Sequence, residues 1–365
     1  MFDRRLISHF DWTLLLLILT LVGIGVLTVH SATYEKGQEL SPLVLRQLSW
    51  VALGSIGMVA AFAIDYRRLE GGAYLLYGLS LVLLALVPVI GSSGGGARRW
   101  IDLGFFALQP SEVAKVTLLL VLAREFHRYA PPRGYHLRDL LYPTVLMAVP
   151  AGLILAEPNL GTAVILGLIF VSMAFAAGTR LSVFALVGGI GGCMLPFLWH
   201  FLKPYQRQRA LSFLHPDVDP LGAGYHMIQS KITVGSGGLW GKGFLQGTQN
   251  RLDFLPEQHT DFVFAVLSEE WGFIGAVAIL VLYGALLARL LVIAWKARDR
   301  FGSCLAVGVA SIIFWQLLIN IGMNLGMTPV VGVPLPLLSY GGSSLLTMMT
   351  ILGVVLSVST RRFLF

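Results

Sequence analysis

Asp11-Trp-Thr-Leu-Leu-Leu-Leu-Ile-Leu-Thr-Leu-Val-Gly-Ile-Gly-Val-Leu-Thr-Val-His-Ser31 carries no Lys, Arg, Asp or Glu after its first position. An apolar run of roughly 20 residues is the length a helix needs to cross a bilayer. The pattern repeats along the chain, at 11–31, 45–64, 73–90, 108–124, 140–156, 160–177, 181–202, 261–288, 303–326 and 339–360. Composition agrees: 365 residues, 56% hydrophobic and only 12% charged. A soluble domain carries about 25% charged residues. Half that density excludes a soluble globular enzyme and a disordered chain. The expected fold is an all-α polytopic membrane protein. About ten transmembrane helices form a single integral membrane domain over 1–365, with one large extracytoplasmic loop at about 203–260. Arg4 and Arg5 precede the first stretch, but no small-x-small cleavage site follows it, so it reads as a retained span.

Charge placement sets the expected orientation. With the N-terminus inside, fifteen of the 26 basic residues fall at cytoplasmic helix ends or in short cytoplasmic loops, against seven of the 19 acids. Lysine and arginine flanking spans collect on the cytoplasmic side. Both termini are therefore expected inside, and the net charge of +7 reflects topology rather than nucleic-acid binding. Cys193 and Cys304 sit in apolar runs, which argues against a disulfide framework or a cysteine zinc site. Arg98 and Arg99 break the charge pattern in an outer loop. The 203–260 loop is long and rich in glycine and aromatics, which suits function better than mere connection.

Four polar runs carry candidate chemistry. The first, Leu252-Asp-Phe-Leu-Pro-Glu-Gln-His-Thr-Asp-Phe-Val-Phe-Ala265, gathers Glu257, His259 and Asp261 at the mouth of the eighth span. Thr260 and Asp261 there can simply cap and complement a helix start; a carboxylate at that depth can equally be a general base or a metal ligand. Glu269 and Glu270 follow inside an apolar helix, where acids are costly. At 100° per residue they and Asp261 cannot share one face, so at least one is expected to pair with another helix. In Gln109-Pro-Ser-Glu-Val-Ala-Lys115, Glu112 and Lys115 are spaced for an ion pair; alternatively Lys115 joins Arg98 and Arg99 in an anion site. Trp100 suits an interfacial anchor. In Val333-Pro-Leu-Pro-Leu-Leu-Ser-Tyr-Gly-Gly-Ser-Ser344, prolines and paired glycines at membrane depth suit backbone that lines a cavity or is buried in protein; a kinked small-residue packing face is the alternative.

Other signals fail. Gly235-Ser-Gly-Gly-Leu-Trp-Gly-Lys-Gly243 lacks the spacing of a P-loop or dinucleotide fingerprint. There is no His-Glu-x-x-His. Residues 225–234 are weakly amphipathic, suiting a membrane-surface helix or a packed loop helix. Basic groups beside a carboxylate at the outer leaflet point to a phosphorylated lipid and a divalent cation.

These runs, with Asp219-Pro-Leu-Gly-Ala-Gly-Tyr-His-Met-Ile-Gln-Ser-Lys231, Gly247-Thr-Gln249 and Ala97-Arg-Arg-Trp100, resemble the SEDS family (shape, elongation, division and sporulation), and within it the elongation branch. The resemblance spans the chain. It implies a peptidoglycan glycosyltransferase that polymerises lipid II into β-1,4 glycan strands with inversion, releasing undecaprenyl pyrophosphate, at the outer face of the bacterial cytoplasmic membrane. It implies Asp261 as the catalytic residue and a possible metal ligand. Arg98, Arg99, Trp100, Glu112, Lys115, Lys242, His259, Ser339, Tyr340 and Ser343 are the expected substrate-binding residues, and Mg²⁺ or Mn²⁺ the expected cofactor. A class B penicillin-binding protein (transpeptidase) is the expected partner, with MreC and MreD, in a setting of membrane lipid and no nucleic acid. A lipid II flippase and a scaffold that only activates a partner are the competing readings. One departure stands out: Pro158-Asn-Leu-Gly-Thr162 has Asn159 where the family commonly has Asp.

Overall fold

The structure, a computed structural model, describes residues 10–34, 41–94, 97–102, 104, 106–132, 134–201, 207, 211–213, 223–251 and 257–362. Much of the first half of the 203–260 loop, Asp219–Gly222 of the quoted motif, residues 252–256 and Arg4 and Arg5 lie outside them. Helices occupy all ten apolar stretches: α1 (Trp12–Ala32), α2 (Pro42–Ala63), α3 (Tyr66–Ile90), α4 (Pro110–Arg128), α5 (Leu141–Ala156), α6 (Leu160–Ala176), α7 (Leu181–Phe201), α10 (Val263–Trp295), α11 (Arg300–Asn324) and α12 (Gly342–Arg361). In the loop lie α8 (Ala223–Ser236) and the single turn α9 (Thr248–Arg251).

Six of these, α1, α2, α3, α10, α11 and α12, are long and apolar enough to cross a membrane; α5, α6 and part of α7 are shorter apolar helices. The chain is thus a polytopic, mostly helical membrane protein. Large apolar side chains such as Leu16, Ile56, Leu75, Val89 and Val281 point outward, as lipid-facing surface requires. The all-α expectation needs one amendment. A small antiparallel sheet, β1 (Ser92–Gly94), β2 (Ala97–Asp102) and β3 (Ala107–Leu108), connects α3 to α4. Hydropathy does not register strands of three, six and two residues.

Local sequence explains the boundaries. Asp11, Ser41, Asp65, Asn159 and Asp299 accept a hydrogen bond from the first turns of α1, α2, α3, α6 and α11, relieving donors that have no partner within the helix. Pro42 and Pro110 start α2 and α4, where their missing N–H is harmless.

Ion pairs tie one end of the bundle together. Arg289 of α10 meets Asp11 at 2.9 Å, Arg361 at the end of α12 meets Asp65 at 3.3 Å, and Arg128 at the end of α4 meets Glu70 at 3.2 Å. The Ser359 hydroxyl also donates to Asp11, at 2.9 Å. The first turns of α4, α6 and α12, the last turns of α11 and the approach to α10 face the opposite end, which the sheet covers.

Helix α10 is 33 residues long and broken at Gly272 (φ 65°). There the glycine run acts as a backbone splint. Lys242 and Gly243 donate their N–H groups to the carbonyls of Glu269 and Glu270 at 3.0 Å, while Phe273 and Ile274 donate to Gly238 and Leu239. These bonds serve groups that the break deprives of helical partners. A Cβ on Gly272 would come within 2.3 Å of the Gly241 nitrogen, so the splint demands glycine. The two acids inside α10 are absorbed by neighbours. The Glu269 carboxylate accepts from Lys242 Nζ (2.7 Å) and from the N–H groups of Thr248 and Gln249 (2.9 and 3.0 Å). Glu270 accepts from the Ser31 hydroxyl of α1. Both acids therefore pair away from Asp261, one with the loop and one with another helix. α8 packs against α10 and α11 with Met227, Ser230 and Thr233 buried, so residues 225–234 form a packed loop helix.

Candidate active site

At the sheet-covered end a cavity of about 320 Å³ opens among β2, α4, α6, α11, the approach to α10 and the segment before α12. Arg99, Trp100, Glu112, Lys115, Asp261 and Tyr340 line it, from four separate stretches of sequence.

The two arginines have different surroundings. Arg99 lines the cavity; its Nε donates to the Glu157 carbonyl (3.4 Å) and its Nη2 to that of Pro158. Arg98 is exposed and donates to the Pro88 carbonyl at 3.2 Å. Glu112 and Lys115 form a 2.8 Å ion pair, their side chains only 5% and 3% exposed. Both line the cavity, so the pair and the site are one feature.

Asp261 precedes α10 rather than opening it. The helix starts at Val263 with Phe262 at its cap position, and the Thr260 hydroxyl goes instead to the carbonyl and carboxylate of Glu257 (3.1 and 3.0 Å). The main chain of Asp261 is held from α11: Asn320 Nδ2 donates to its carbonyl at 2.9 Å and to that of Val333 at 2.8 Å, and Asn324 Nδ2 adds a bond at 3.3 Å. Asn320 and Asn324 are fully buried. Gly332 permits the close fit, since a Cβ there would lie 3.3 Å from Asp261 Oδ2, and its φ of 68° favours glycine.

The 333–344 run lines the cavity in one part and is buried in protein in another. Val333, Pro334, Tyr340, Gly341 and Ser344 line the cavity. Leu335–Ser339 is irregular backbone enclosed in protein, with the Tyr283 hydroxyl donating to the Pro336 carbonyl. Ser339 and Ser343 do not reach the cavity lining. Ser339 Oγ accepts from Leu335 N (2.8 Å) and closes that turn, while Ser343 Oγ accepts from Gln109 N (3.1 Å) and donates to the Ala107 carbonyl (2.9 Å), clamping the start of α4 to α12. His259 stands behind Tyr340: its carbonyl accepts from Tyr340 N at 2.9 Å and the two rings meet edge-on at 5.6 Å. Burial holds its imidazole toward the neutral form. Lys242 lies at the Glu269 cluster, outside the cavity lining. Of the substrate-binding set, the structure thus brings Arg99, Trp100, Glu112, Lys115 and Tyr340 to Asp261 and leaves Arg98, Lys242, His259, Ser339 and Ser343 behind or beside them.

Asn159 lines the cavity and caps α6, its Oδ1 accepting from Thr162 N at 3.3 Å. Asn and Asp cap helices about equally well, so the cap survives the family departure. Lining residues not singled out in the sequence include Gln109 and, above all, Gln316; Glu257, named there beside Asp261, lines the cavity too. Gln316, Asn320 and Asn324 recur every fourth residue on α11, a polar stripe inside an apolar helix. That 3.6-residue periodicity was the signal available to find them.

Glu157, beside Arg99, is 4% exposed, and neither carboxylate oxygen has a hydrogen-bond partner. Burial pushes its carboxyl up to about 7, with Arg99 opposing. The folded chain therefore binds this proton more tightly than the unfolded chain does. Its contribution to stability is greatest below about 4.5 and is lost as pH rises to about 7. Thermal midpoints of the detergent-solubilised chain should fall across that window, and Glu157→Gln should flatten the slope. An unchanged slope in the variant would refute the assignment.

Residues 11–363 match the family model FTSW_RODA_SPOVE, described as "Cell cycle protein". The chain is 43% identical to the peptidoglycan glycosyltransferase MrdB of Escherichia coli (strain K12), over 97% of this chain and 94% of that one. Its fold is similar to a chain of a structure described as "Structural coordination of polymerization and crosslinking by a peptidoglycan synthase complex" (TM-score 0.83, 37% identity, 97% and 98% covered). It is also similar to the crystal structure of the rod shape determining protein RodA of Thermus thermophilus (TM-score 0.72, 34% identity, 97% and 98% covered). The chain belongs to the FtsW/RodA/SpoVE family.

Proposed function

We propose that this chain is a peptidoglycan glycosyltransferase of the elongation type, polymerising lipid II at the outer face of the bacterial cytoplasmic membrane. The observation that carries the chemistry is the convergence of Asp261, Arg99 and Lys115 on one cavity, with Asp261 gripped by Asn320 and Asn324. The chain-end ion pairs at the opposite end of the bundle support cytoplasmic termini and an outward cavity.

In the reaction the 4-hydroxyl oxygen of a GlcNAc attacks the anomeric carbon of the donor sugar. The bond from that carbon to the diphosphate oxygen breaks, and its electron pair leaves with undecaprenyl pyrophosphate. The hydroxyl proton passes to the Asp261 carboxylate. One displacement converts the α donor linkage into a β-1,4 product. Proton removal by a positioned base is typically worth about 10²–10⁴ in rate. Arg99 and Lys115 face the charge that develops on the leaving group.

Formal charge bears on the cation. Arg99 and Lys115 bring two positive charges to the lining; Glu112, Glu257 and Asp261 bring three negative ones. A net negative cavity suits a diphosphate poorly without a divalent cation. Among the described residues no group of three His, Cys, Asp or Glu can hold a metal ion. Asp261 and Glu257, both in the lining, would hold Mg²⁺ or Mn²⁺ there. When bound, the ion neutralises the departing diphosphate. A class B penicillin-binding protein that cross-links the strands is the proposed partner, with MreC and MreD as further members of the assembly.

Purified chain, alone and with its transpeptidase partner, should convert labelled lipid II into a ladder of strands on a gel. EDTA should suppress the ladder and Mg²⁺ or Mn²⁺ restore it. Folded protein that moves labelled lipid II between leaflets of a vesicle and forms no ladder would overturn the polymerase reading in favour of transport.

A further inference from the structure

Gln316 lies one helical turn before Asn320, the residue that grips Asp261, and it lines the same cavity. Its side chain is 1% exposed, yet Oε1 is enclosed with no hydrogen-bond partner. Leaving an enclosed acceptor unsatisfied is unfavourable. Rotation of this carboxamide about its last bond turns the oxygen toward the cavity, where a ligand can supply the missing donor. The neighbours define that ligand. Ile165 of α6 and Val333 add buried apolar surface to the lining, and Val333 is joined to the same stripe through Asn320 (2.8 Å). The charged residues of the site are Arg99, Glu112, Lys115, Glu257 and Asp261; Gln316 adds a neutral donor and acceptor. A carboxamide pairs in two directions with a secondary amide, its oxygen accepting the amide N–H and its nitrogen donating to the amide oxygen. An amide carrying a methyl group matches carboxamide and apolar patch together.

We propose that Gln316 is a specificity-determining residue that reads the acetamido group of an N-acetylated sugar of the substrate, with Ile165 and Val333 receiving its methyl. The inference rests on the polymerase reading for the identity of the sugar. It requires only that Gln316 touch the substrate, whether or not Asp261 is the base.

The test uses the purified full chain, lipid II, and two lipid II analogues in which the acetamido group of one or the other sugar is replaced by hydrogen. With one analogue the wild-type chain should lose on the order of tenfold or more in kcat/KM. Gln316→Leu should show a similar loss on lipid II, carried mainly by KM, and little further loss on that analogue. Gln316→Met, closer in volume, guards against a folding defect and should behave as Gln316→Leu does. Equal use of lipid II and both analogues by the wild-type chain overturns the inference without needing any variant. So does a Gln316→Leu chain that still discriminates as the wild type does. Binding of labelled lipid II is measured in parallel. Binding that weakens in Gln316→Leu and on the same analogue, in a chain that forms no strands, would support the contact while removing the polymerase reading.

Discussion

Asp261→Asn should lower lipid II polymerisation by about 10²–10⁴-fold while leaving the fold in place, because it removes the proton acceptor and the negative charge offered to a cation. The side chain keeps its size, and the bonds that place residue 261 run to its main-chain carbonyl from Asn320 and Asn324. Neither bond depends on the carboxylate. The thermal midpoint should therefore move little, and lipid II should still bind. A variant that polymerises at the wild-type rate would show that Asp261 is neither base nor cation ligand. Asn320→Ala is the instructive companion. It keeps the carboxylate but frees the Asp261 and Val333 carbonyls from their common clamp, so it should lower kcat more than it raises KM.

The second large effect is on stability. Lys115→Met should destabilise the chain by about 3–5 kcal/mol, because it leaves the Glu112 carboxylate buried without its counter-charge. The 2.8 Å separation and side-chain exposures of 3% and 5% put this pair in the regime where losing one partner is costly. The double variant Glu112→Gln/Lys115→Met should recover much of the stability, since it removes both charges together. Denaturation in detergent reads both. Activity separates the roles: the double variant should remain poor at polymerisation, because Lys115 also lines the cavity proposed to receive the leaving diphosphate. A single variant as stable as wild type would mean that the pair is solvated in solution.

Much of this was open to reading in one dimension. Lipid is a solvent that accepts only long apolar helices with their backbone bonds internal. Runs such as 11–31 and 303–326 announce themselves for that reason. The apolar stretches marked the starts of α1 and α4 to within a few positions, whereas α3 begins seven residues before the stretch read at 73–90. Asp261 stood out for the company it keeps with Glu257 and His259 at the mouth of the eighth span, and through the family resemblance. What local reading missed is equally physical. Arg98 and Arg99 look alike in sequence, and only the folded chain puts Arg99 in the cavity lining and leaves Arg98 exposed against the Pro88 carbonyl. Lys242 and Glu269 are 27 residues apart and meet only because the glycine run folds onto the break at Gly272. Ser343 has the look of a site residue, but it spends both bonds on the segment that opens α4.

The sequence alone determined a chain that must live in a bilayer, the stretches that become helices, the expected side for the basic ends, and the family to which the motifs point. Each follows from solvation of a residue and its near neighbours. Tertiary structure alone decided which polar side chains share one cavity, that Glu112 and Lys115 satisfy each other while lining it, that Asn320 and Asn324 hold Asp261, and that Gln316 faces the same space. Those relations join groups as much as 220 residues or more apart, such as Glu112 and Tyr340. They depend on how helices pack, which no local period in a sequence encodes.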